Sequence, residues 1–380
     1  MIYKDFHGKK LSMLGLGCMR FPMLENKKDD GDIDMEKTAE IFDVALKNGI
    51  NYFDTAWGYH NGQSEPTVGK ILSKYPRESF YLATKFPGYD WGNMGKAEEI
   101  FNKQLSRLQT DYVDFYLIHT VSESNIEHYL NDEKYGDFSY FVEQKRQGRI
   151  KHIGFSIHAN LEIMKRFLDA YKEHIDFVQV QLNYVDWNYQ DAKAKVELLQ
   201  SLNIPIWVME PVRGGKLANV DSKYAERLSK LRADETAPSW AFRFLQSIEG
   251  VTMVLSGMSS MEQLLDNVKT FSAEKPLSDA EFKTLISIGD EMIGKKSYPC
   301  TACNYCTSYC PLELNIPMFI KLYNEHSFAE DELIAPDVVS QIPKEKLPSA
   351  CVACKACEGV CPQQISISEM MKEFSKINKL

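Results

Sequence analysis

Eight short apolar runs, each followed by an amphipathic helical pattern, constrain the fold of this sequence more than any other feature. The runs occupy residues 14–19, 50–53, 81–84, 113–118, 150–157, 177–182, 204–209 and 251–255. Strands that are apolar on both faces are typical of a parallel sheet covered by helices. Eight strand–helix repeats in roughly 250 residues predict a TIM (β/α)8 barrel, so the fold class is α/β. Asp34 is expected to cap the first helix, and residues 2–10 to form a hairpin on the barrel floor.

Four polar side chains follow three of these runs, directly or after a short turn: Asp54, Tyr59, Lys85 and His119. Singly, each has an ordinary role as a turn cap, a solvated charge or a satisfied polar group. Together they lie where a barrel gathers its strand ends and its active site. A tyrosine with an ordinary pKa of about 10 is a poor acid at neutral pH, and a neighbouring ammonium lowers that pKa. The combination therefore predicts a general acid for a carbonyl that receives a hydride.

These segments resemble the aldo-keto reductase family over residues 1–275. The carrying motifs are Phe-Asp-Thr-Ala and Gly-Tyr in 53–59, Ser-Glu and Gly-Lys in 64–70, Ala-Thr-Lys in 83–85, and Asp-Tyr-Val-Asp with Leu-Ile-His in 111–119. The resemblance implies that Tyr59 is the proton donor and that Lys85 tunes it. It also implies that Asp54 pairs with Lys85 and that His119 positions the carbonyl of a small-molecule substrate.

The resemblance further implies a nicotinamide cofactor, NADP(H) or NAD(H), bound across the barrel mouth. The residues expected to bind it are Met19, Ser156, Gln181, Val212, Arg213, Gly214, Lys216, Ser256, Gly257, Gln263 and Asn267. Within this set, Ser156 and Gln181 match the carboxamide-binding residues, and the turn that begins at Val212 matches the pyrophosphate loop. Ser256, Gly257 and Asn267 match the segment that binds the adenosine phosphate.

Three cofactor positions depart from the family pattern. Ile157 replaces an asparagine, Met209 replaces the aromatic side chain that stacks on the nicotinamide, and Ser259 or Gln263 replaces the arginine that binds the 2′-phosphate. An arginine–phosphate contact is strong and bidentate, so its loss weakens the expectation of NADPH over NADH. The basic residues of the Arg-Gly-Gly-Lys turn at 213–216 are either replacement cations or a solvated turn.

Eight of the nine cysteines lie after residue 299, in two runs with the spacing C-x2-C-x2-C-x3-C-P. The runs contain Cys300, Cys303, Cys306 and Cys310, then Cys351, Cys354, Cys357 and Cys361. Bacterial ferredoxins use this spacing for two [4Fe-4S] clusters, with the fourth cysteine of each run on the other cluster. Zinc is the alternative, but zinc sites use four ligands, commonly two C-x2-C pairs. Cys18 lies outside both runs and is interpreted as a small buried hydrophobe.

The expected organisation is a barrel in residues 1–275, a linker helix in 276–298, and a small, mainly helical ferredoxin-like iron–sulfur domain in 299–380. A net charge of −9 argues against a nucleic-acid partner. No apolar run approaches the roughly 20 residues of a membrane span, and the first residues lack a signal-peptide pattern. A cytoplasmic location is therefore expected, with no membrane partner.

Three functions are compatible with these features. In the first, an oxidoreductase interconverts a carbonyl and an alcohol at Tyr59, and its clusters carry electrons to or from a ferredoxin-like partner. In the second, the reductase depends on nicotinamide alone and its clusters are structural or redox-sensing; in the third, the protein is a non-catalytic sensor. Nicotinamide passes two electrons as hydride whereas a cluster passes one, a mismatch that a flavin normally bridges. No flavin motif is evident, and flavin use stays open together with the substrate and the oligomeric state.

Overall fold

The computed structural model describes residues 1–27, 30–123, 125–293, 297–298, 300, 305–329, 333–361 and 363–380. The chain divides into two compact units, Met1–Ser287 and Ile288–Leu380. The helix Asp279–Ile293 spans the boundary between them. One of the expected cluster ligands, Cys303, lies outside the described residues.

The first unit is built around a closed barrel of eight parallel strands. The strands of this unit are β1 Tyr3–Phe6, β2 Lys9–Ser12, β3 Leu14–Gly17, β4 Tyr52–Asp54, β5 Tyr81–Phe86, β6 Val113–Val121, β7 Ile150–Ile157, β8 Phe177–Gln181, β9 Ile206–Met209 and β10 Val251–Ser256. Strands β3 to β10 pair in chain order, and β10 pairs with β3 to close the ring. The predicted TIM barrel is confirmed.

Helices follow the strands and cover the outside of the ring. In the first unit they are Met35–Lys47, Ser64–Leu72, Ala97–Leu108, Ile126–Tyr129, Asp132–Tyr135, Asp137–Arg146, Leu161–Tyr171, Asp186–Tyr189, Ala192–Ser201, Ser222–Ser229, Ala237–Gln246 and Met261–Thr270. The predicted cap of the first helix is present, since Asp34 Oδ1 accepts a hydrogen bond from Lys37 N at 3.0 Å. A carboxylate at this position satisfies one of the free N–H groups of the first turn.

The amino ends of the strands are closed by the antiparallel hairpin of β1 and β2. Phe6 from this hairpin is buried, and its ring centroid lies 4.9 Å from that of Trp207 and 5.5 Å from that of Phe115. These rings fill the bottom of the barrel, so the interior there is a packed core. Chemistry is therefore confined to the opposite face, where the strands end.

The second unit is mainly helical, and within its described residues no strand is found. Its helices, after the shared one, are Tyr305–Ser308, Ile316–Ala329, Pro336–Val339, Ala356–Gly359 and Ile367–Ile377. Phe319 and Phe374 pack edge to face with ring centroids 5.5 Å apart, at the centre of a separate apolar core. None of the helices in the described parts of either unit is long and apolar enough to cross a membrane.

Candidate active site and cluster site

A buried lysine forms the centre of the candidate active site. Lys85 Nζ, on β5, lies 2.5 Å from Asp54 Oδ1, 2.7 Å from Thr55 O and 3.3 Å from Tyr59 Oη. Lys85 is fully buried and Asp54 nearly so. A buried ammonium needs a paired carboxylate and further hydrogen bonds, and the ends of β4 and β5 supply both. The structure thus brings Asp54, Tyr59 and Lys85 together at the carboxyl end of the barrel.

The Tyr59 hydroxyl retains its proton more firmly than the sequence predicts. Burial raises the pKa of Tyr59, and this effect outweighs the lowering by the Lys85 ammonium. Lys85 thus acts on the pKa of Tyr59 in the expected direction, but its effect is smaller than that of burial. Burial also raises the pKa of Asp54, against the opposing charge of Lys85. At neutral pH the tyrosine consequently carries the proton that a general acid must donate.

His119, on β6, lies beside the tyrosine as a neutral ring. Its ring centroid is 5.9 Å from that of Tyr59 and 5.3 Å from that of Tyr89, both edge to face. Burial, followed by the charges of Lys85 and His158, lowers the pKa of His119 well below its ordinary value. Its buried Nδ1 has no hydrogen-bond partner among the described residues. A neutral imidazole can orient a carbonyl by hydrogen bonding without adding charge to the site.

A buried polar network behind Lys85 fixes the lysine from its backbone side. Glu65 is fully buried and accepts hydrogen bonds from Thr84 Oγ1 at 2.6 Å, Gln104 Nε2 at 2.7 Å and Arg107 Nη1 at 3.0 Å. Gln104 Nε2 also donates to Lys85 O at 2.9 Å. The sequence prediction missed Gln104 and Arg107. The sequence feature that could have indicated this network is the polar Gln104 on an otherwise apolar helix face.

The turn that follows Tyr59 is fixed by a buried histidine that the sequence prediction also missed. His60 Nε2 accepts a hydrogen bond from Phe21 N at 3.0 Å, and Nδ1 lies 2.8 Å from Asp30 O. Because Nε2 is the acceptor, Nδ1 carries the proton. His60 and Asn61 both have left-handed backbones, with φ of 52°. Such conformations persist only where surrounding contacts determine them, as the bonds of His60 do here.

The residues matched to the carboxamide site lie at neighbouring strand ends. Ser156 Oγ accepts a hydrogen bond from Thr120 N at 2.8 Å. Gln181 Nε2 donates to Asp186 Oδ2 at 2.8 Å, and Gln181 Oε1 lies 3.0 Å from His158 Nδ1. Both side chains are therefore already oriented by the protein, as a preformed binding site requires.

The structure corrects both interpretations of Arg213. This residue is buried, and its Nε donates to Asp186 Oδ1 at 3.1 Å. It is neither a free replacement cation nor part of a solvated turn, because Asp186 neutralises it inside the protein. The following Gly214 and Gly215 have φ of 63° and 96°, a backbone that favours glycine. An ideal Cβ on Gly215 would meet no atom within 4 Å, so this part of the turn is open.

The other matched positions lie around the turn and the end of β10. Asn267 Nδ2 donates to Ser256 Oγ at 3.1 Å. Gln263 Oε1 accepts from Ser259 N at 2.8 Å, so both residues at the missing arginine position are neutral and bonded to each other. The matched residues that remain accessible at this edge are Met19, Val212, Gly214, Lys216, Gly257 and Gln263. An open, glycine-lined turn beside polar groups fits an anionic dinucleotide.

Four cysteines from both runs line one cavity in the second unit. Cys310 meets Cys351, Cys354 and Cys357 in the lining of this cavity. Burial, together with Glu358 and Cys351, raises the pKa of the Cys357 thiol to about 11. Four converging thiols fit a cationic group that binds them as thiolates. A [4Fe-4S] cluster bound there would take its fourth ligand from the other run.

The first run is described in part. Cys306 is buried, and Cys300 and Cys361 are half-buried against the same apolar core. Their fourth expected partner, Cys303, is outside the described residues. Cys18 is fully buried in the barrel and its Sγ lies 3.6 Å from Leu16 O.

Sequence comparison matches both units to known families. The model of the Aldo/keto reductase family matches residues 13–290. The chain belongs to the aldo/keto reductase family. A second model, of the 4Fe-4S dicluster domain, matches residues 299–365. This aldo/keto reductase therefore carries an iron–sulfur domain after its barrel.

Individual relatives agree with this assignment. The uncharacterized oxidoreductase YqkF of Bacillus subtilis is 29% identical over 309 residues, covering 73% of this chain and 92% of the relative. The NADH-specific methylglyoxal reductase of Escherichia coli is 25% identical, covering 71% and 92%. Among solved structures, the aldo-keto reductase AKR11C1 from Bacillus halodurans in its holo form superposes with a TM-score of 0.61 at 26% identity, covering 76% and 96%. The chain is an oxidoreductase of this family.

Proposed function

We propose that the barrel interconverts a carbonyl and an alcohol, with Tyr59 as the general acid and base. The observation that carries this proposal is the distance of 3.3 Å between Lys85 Nζ and Tyr59 Oη, with the ammonium fixed by Asp54 at 2.5 Å. An ammonium at this position stabilises the phenolate that forms when the hydroxyl gives up its proton. The general acid is thus built from two buried side chains on neighbouring strands and a half-buried tyrosine in the turn that follows the first of them.

The proton balance follows from these residues. A bound nicotinamide cofactor supplies hydride for reduction, or accepts it in the reverse direction. During reduction Tyr59 Oη donates its proton to the carbonyl oxygen, which becomes the hydroxyl of the product. Lys85 stabilises the remaining phenolate until solvent returns a proton to it. In alcohol oxidation the phenolate of Tyr59 removes the hydroxyl proton instead.

His119 and the polar network of Glu65 and Gln104 hold the substrate carbonyl and the Lys85 ammonium in position. The neutral imidazole of His119 lies within 5.9 Å of the Tyr59 ring, centroid to centroid, and orients the carbonyl oxygen without competing for the charge of Lys85. Glu65 and Gln104 fix the backbone of Lys85, so the ammonium does not move when the tyrosine changes charge. Preorganised groups of this kind lower the cost of developing charge in the transition state.

For the second unit we propose electron transfer between its clusters and a ferredoxin-like partner. At the rim of the cavity lined by Cys310, Cys351, Cys354 and Cys357, Val352 is 64% exposed and Cys354 is exposed. A cluster bound there lies close to solvent, as exchange with a partner requires. The alternative is a structural or sensing role, which predicts full carbonyl reduction with nicotinamide alone while the clusters stay oxidised.

The replacement Tyr59→Phe tests the proposal, with Tyr75→Phe, in the bend after the helix Ser64–Leu72, as the matched control. General acid catalysis contributes roughly 10²- to 10⁴-fold, so turnover of a panel of carbonyl substrates should fall by at least that much in Tyr59→Phe alone. Cluster absorbance should be unchanged in both variants. Equal turnover by the two variants would reject Tyr59 as the acid. Absence of turnover in the wild-type protein would favour a binding or sensor role.

A further inference from the structure

Arg20 follows β3 and spans the two segments matched to the phosphates of the cofactor. An ideal Cβ on Gly257 would lie 3.3 Å from Arg20 Cβ and 3.6 Å from Arg20 Cδ, so the arginine stem crosses the face of this glycine. At its far end, Arg20 Nη2 lies 3.8 Å from the ideal Cβ position of Gly214, and Glu210 Oε2 lies at the same distance from that position. Ser259 Oγ donates to Arg20 O at 3.0 Å and fixes the backbone. The guanidinium is thereby directed toward the glycine turn.

The guanidinium of Arg20 is available for a ligand. The side chain is exposed, and it donates no hydrogen bond and forms no ion pair with any described residue. Arg213, the arginine that the sequence places in the same turn, is instead neutralised by Asp186. A free guanidinium beside an open glycine turn is suited to a bidentate contact with phosphate oxygens.

The position of this cation also bears on cofactor choice. Its charged end lies at Gly214, on the pyrophosphate turn, whereas Ser259 and Gln263 lie where the family arginine binds the 2′-phosphate. Gln263 accepts a hydrogen bond from Ser259 N at 2.8 Å, and neither residue carries charge. The two residues at the 2′-phosphate position therefore offer no cation, while the diphosphate position has Arg20.

We propose that Arg20 binds the diphosphate of the nicotinamide dinucleotide, and that the site, which lacks the family arginine at the 2′-phosphate position, prefers NAD(H) to NADP(H). The proposal rests on the proposed function of the barrel, because it assigns a residue to the same cofactor. It makes Arg20 a binding and specificity-determining residue. Gly257 contributes indirectly, because a side chain there would displace the arginine stem.

The test is cofactor binding to cluster-loaded, full-length protein under anaerobic conditions, without substrate. All five tryptophans lie in the first unit, so their fluorescence reports on the barrel. Wild-type protein, Arg20→Ala, Arg20→Lys and Gln263→Arg are titrated with NADH and with NADPH. Arg146→Ala is the matched control, since Arg146 pairs with Glu143 on an exposed helix surface.

We expect Arg20→Ala to lose roughly tenfold or more in affinity for both cofactors, because a hydrogen bond to a charged group is removed. Arg20→Lys should lose less and Arg146→Ala nothing. Wild type should bind NADH more tightly than NADPH, and Gln263→Arg should improve NADPH alone. A loss confined to NADPH in Arg20→Ala would assign the cation to the 2′-phosphate and overturn the inference, as would unchanged affinity. Failure of the wild type to bind either cofactor would overturn the proposed function itself.

Discussion

The two units position their reactive side chains in opposite ways. In the barrel, Lys85 and Asp54 lie on adjacent strands and neutralise each other at 2.5 Å. In the second unit, Cys310, Cys351, Cys354 and Cys357 come from loops and short helix starts and meet as four groups of one kind. The barrel site is electrostatically complete within the protein. The cysteine site is complete only with a cation, because four converging thiolates repel one another.

The largest expected effect concerns iron, which only the second unit is expected to bind. Replacing Cys357 with alanine should remove one cluster and thus about half of the iron, since a [4Fe-4S] cluster requires four thiolates. The barrel should retain its native tryptophan fluorescence. Iron content and cluster absorbance provide the measurement, with Cys18→Ala as the control because Cys18 lies outside both runs. Full iron content in Cys357→Ala would contradict the ligand assignment.

The next effect tests whether Asp54 and Lys85 neutralise each other inside the barrel. Lys85→Met leaves the buried Asp54 without its partner, which typically costs about 3–5 kcal/mol. Chemical denaturation followed by tryptophan fluorescence should show this loss, while cluster absorbance in the second unit keeps its wild-type transition. The double variant Asp54→Asn with Lys85→Met should recover part of the stability without recovering turnover. A stable Lys85→Met single variant would show that the pair is not electrostatically coupled.

A smaller effect concerns acid stability of the barrel floor. Burial lowers the pKa of His152 to about 4, against the attraction of Asp176. In the unfolded chain the His152 imidazole binds a proton below about pH 6.5, whereas in the folded chain it does so only near pH 4. The free energy of unfolding therefore falls as pH decreases through that interval. We expect a loss of about 3 kcal/mol between pH 7 and pH 4, absent in His152→Gln. Denaturation midpoints of both proteins at several pH values measure it.

The smallest expected effect is a flat pH dependence of carbonyl reduction. The pKa of His119 is lowered by burial and that of Tyr59 is raised by burial, so neither group titrates between roughly pH 6 and pH 9. The rate of the chemical step, measured with saturating cofactor, should stay constant across this interval and decrease only on the alkaline side. A transition near neutral pH would show that one of these two groups ionises there and that the site is less buried than described.

The sequence predicted the features that depend on local pattern. The barrel follows from alternating runs, and the Asp34 cap from its position before an amphipathic helix. The close approach of Asp54, Tyr59 and Lys85 follows from the rule that strand ends share one face. Each of these needs only the residue type and its place along the chain.

Features that depend on packing between distant segments were missed. The pairing of Arg213 with Asp186 joins residues that follow two different barrel strands, and the contact of Gln104 with Lys85 O joins a helix to a strand. The raised pKa of Tyr59 depends on burial, which a sequence pattern does not specify at the level of one hydroxyl. Arg20 belongs with these, because its approach to Gly214 requires the loops to be placed first.

The closure of the ring has a consequence for biosynthesis. The barrel closes where Leu14–Gly17 pairs with Val251–Ser256. The first of these strands therefore lacks one of its two neighbouring strands until the second has left the ribosome. The cysteine runs are translated only afterwards, beginning at Cys300. Domains generally fold as units in the order of synthesis. The nascent barrel can therefore be complete before any of the cluster thiols needs iron, and cluster delivery acts on a chain whose first unit is already folded.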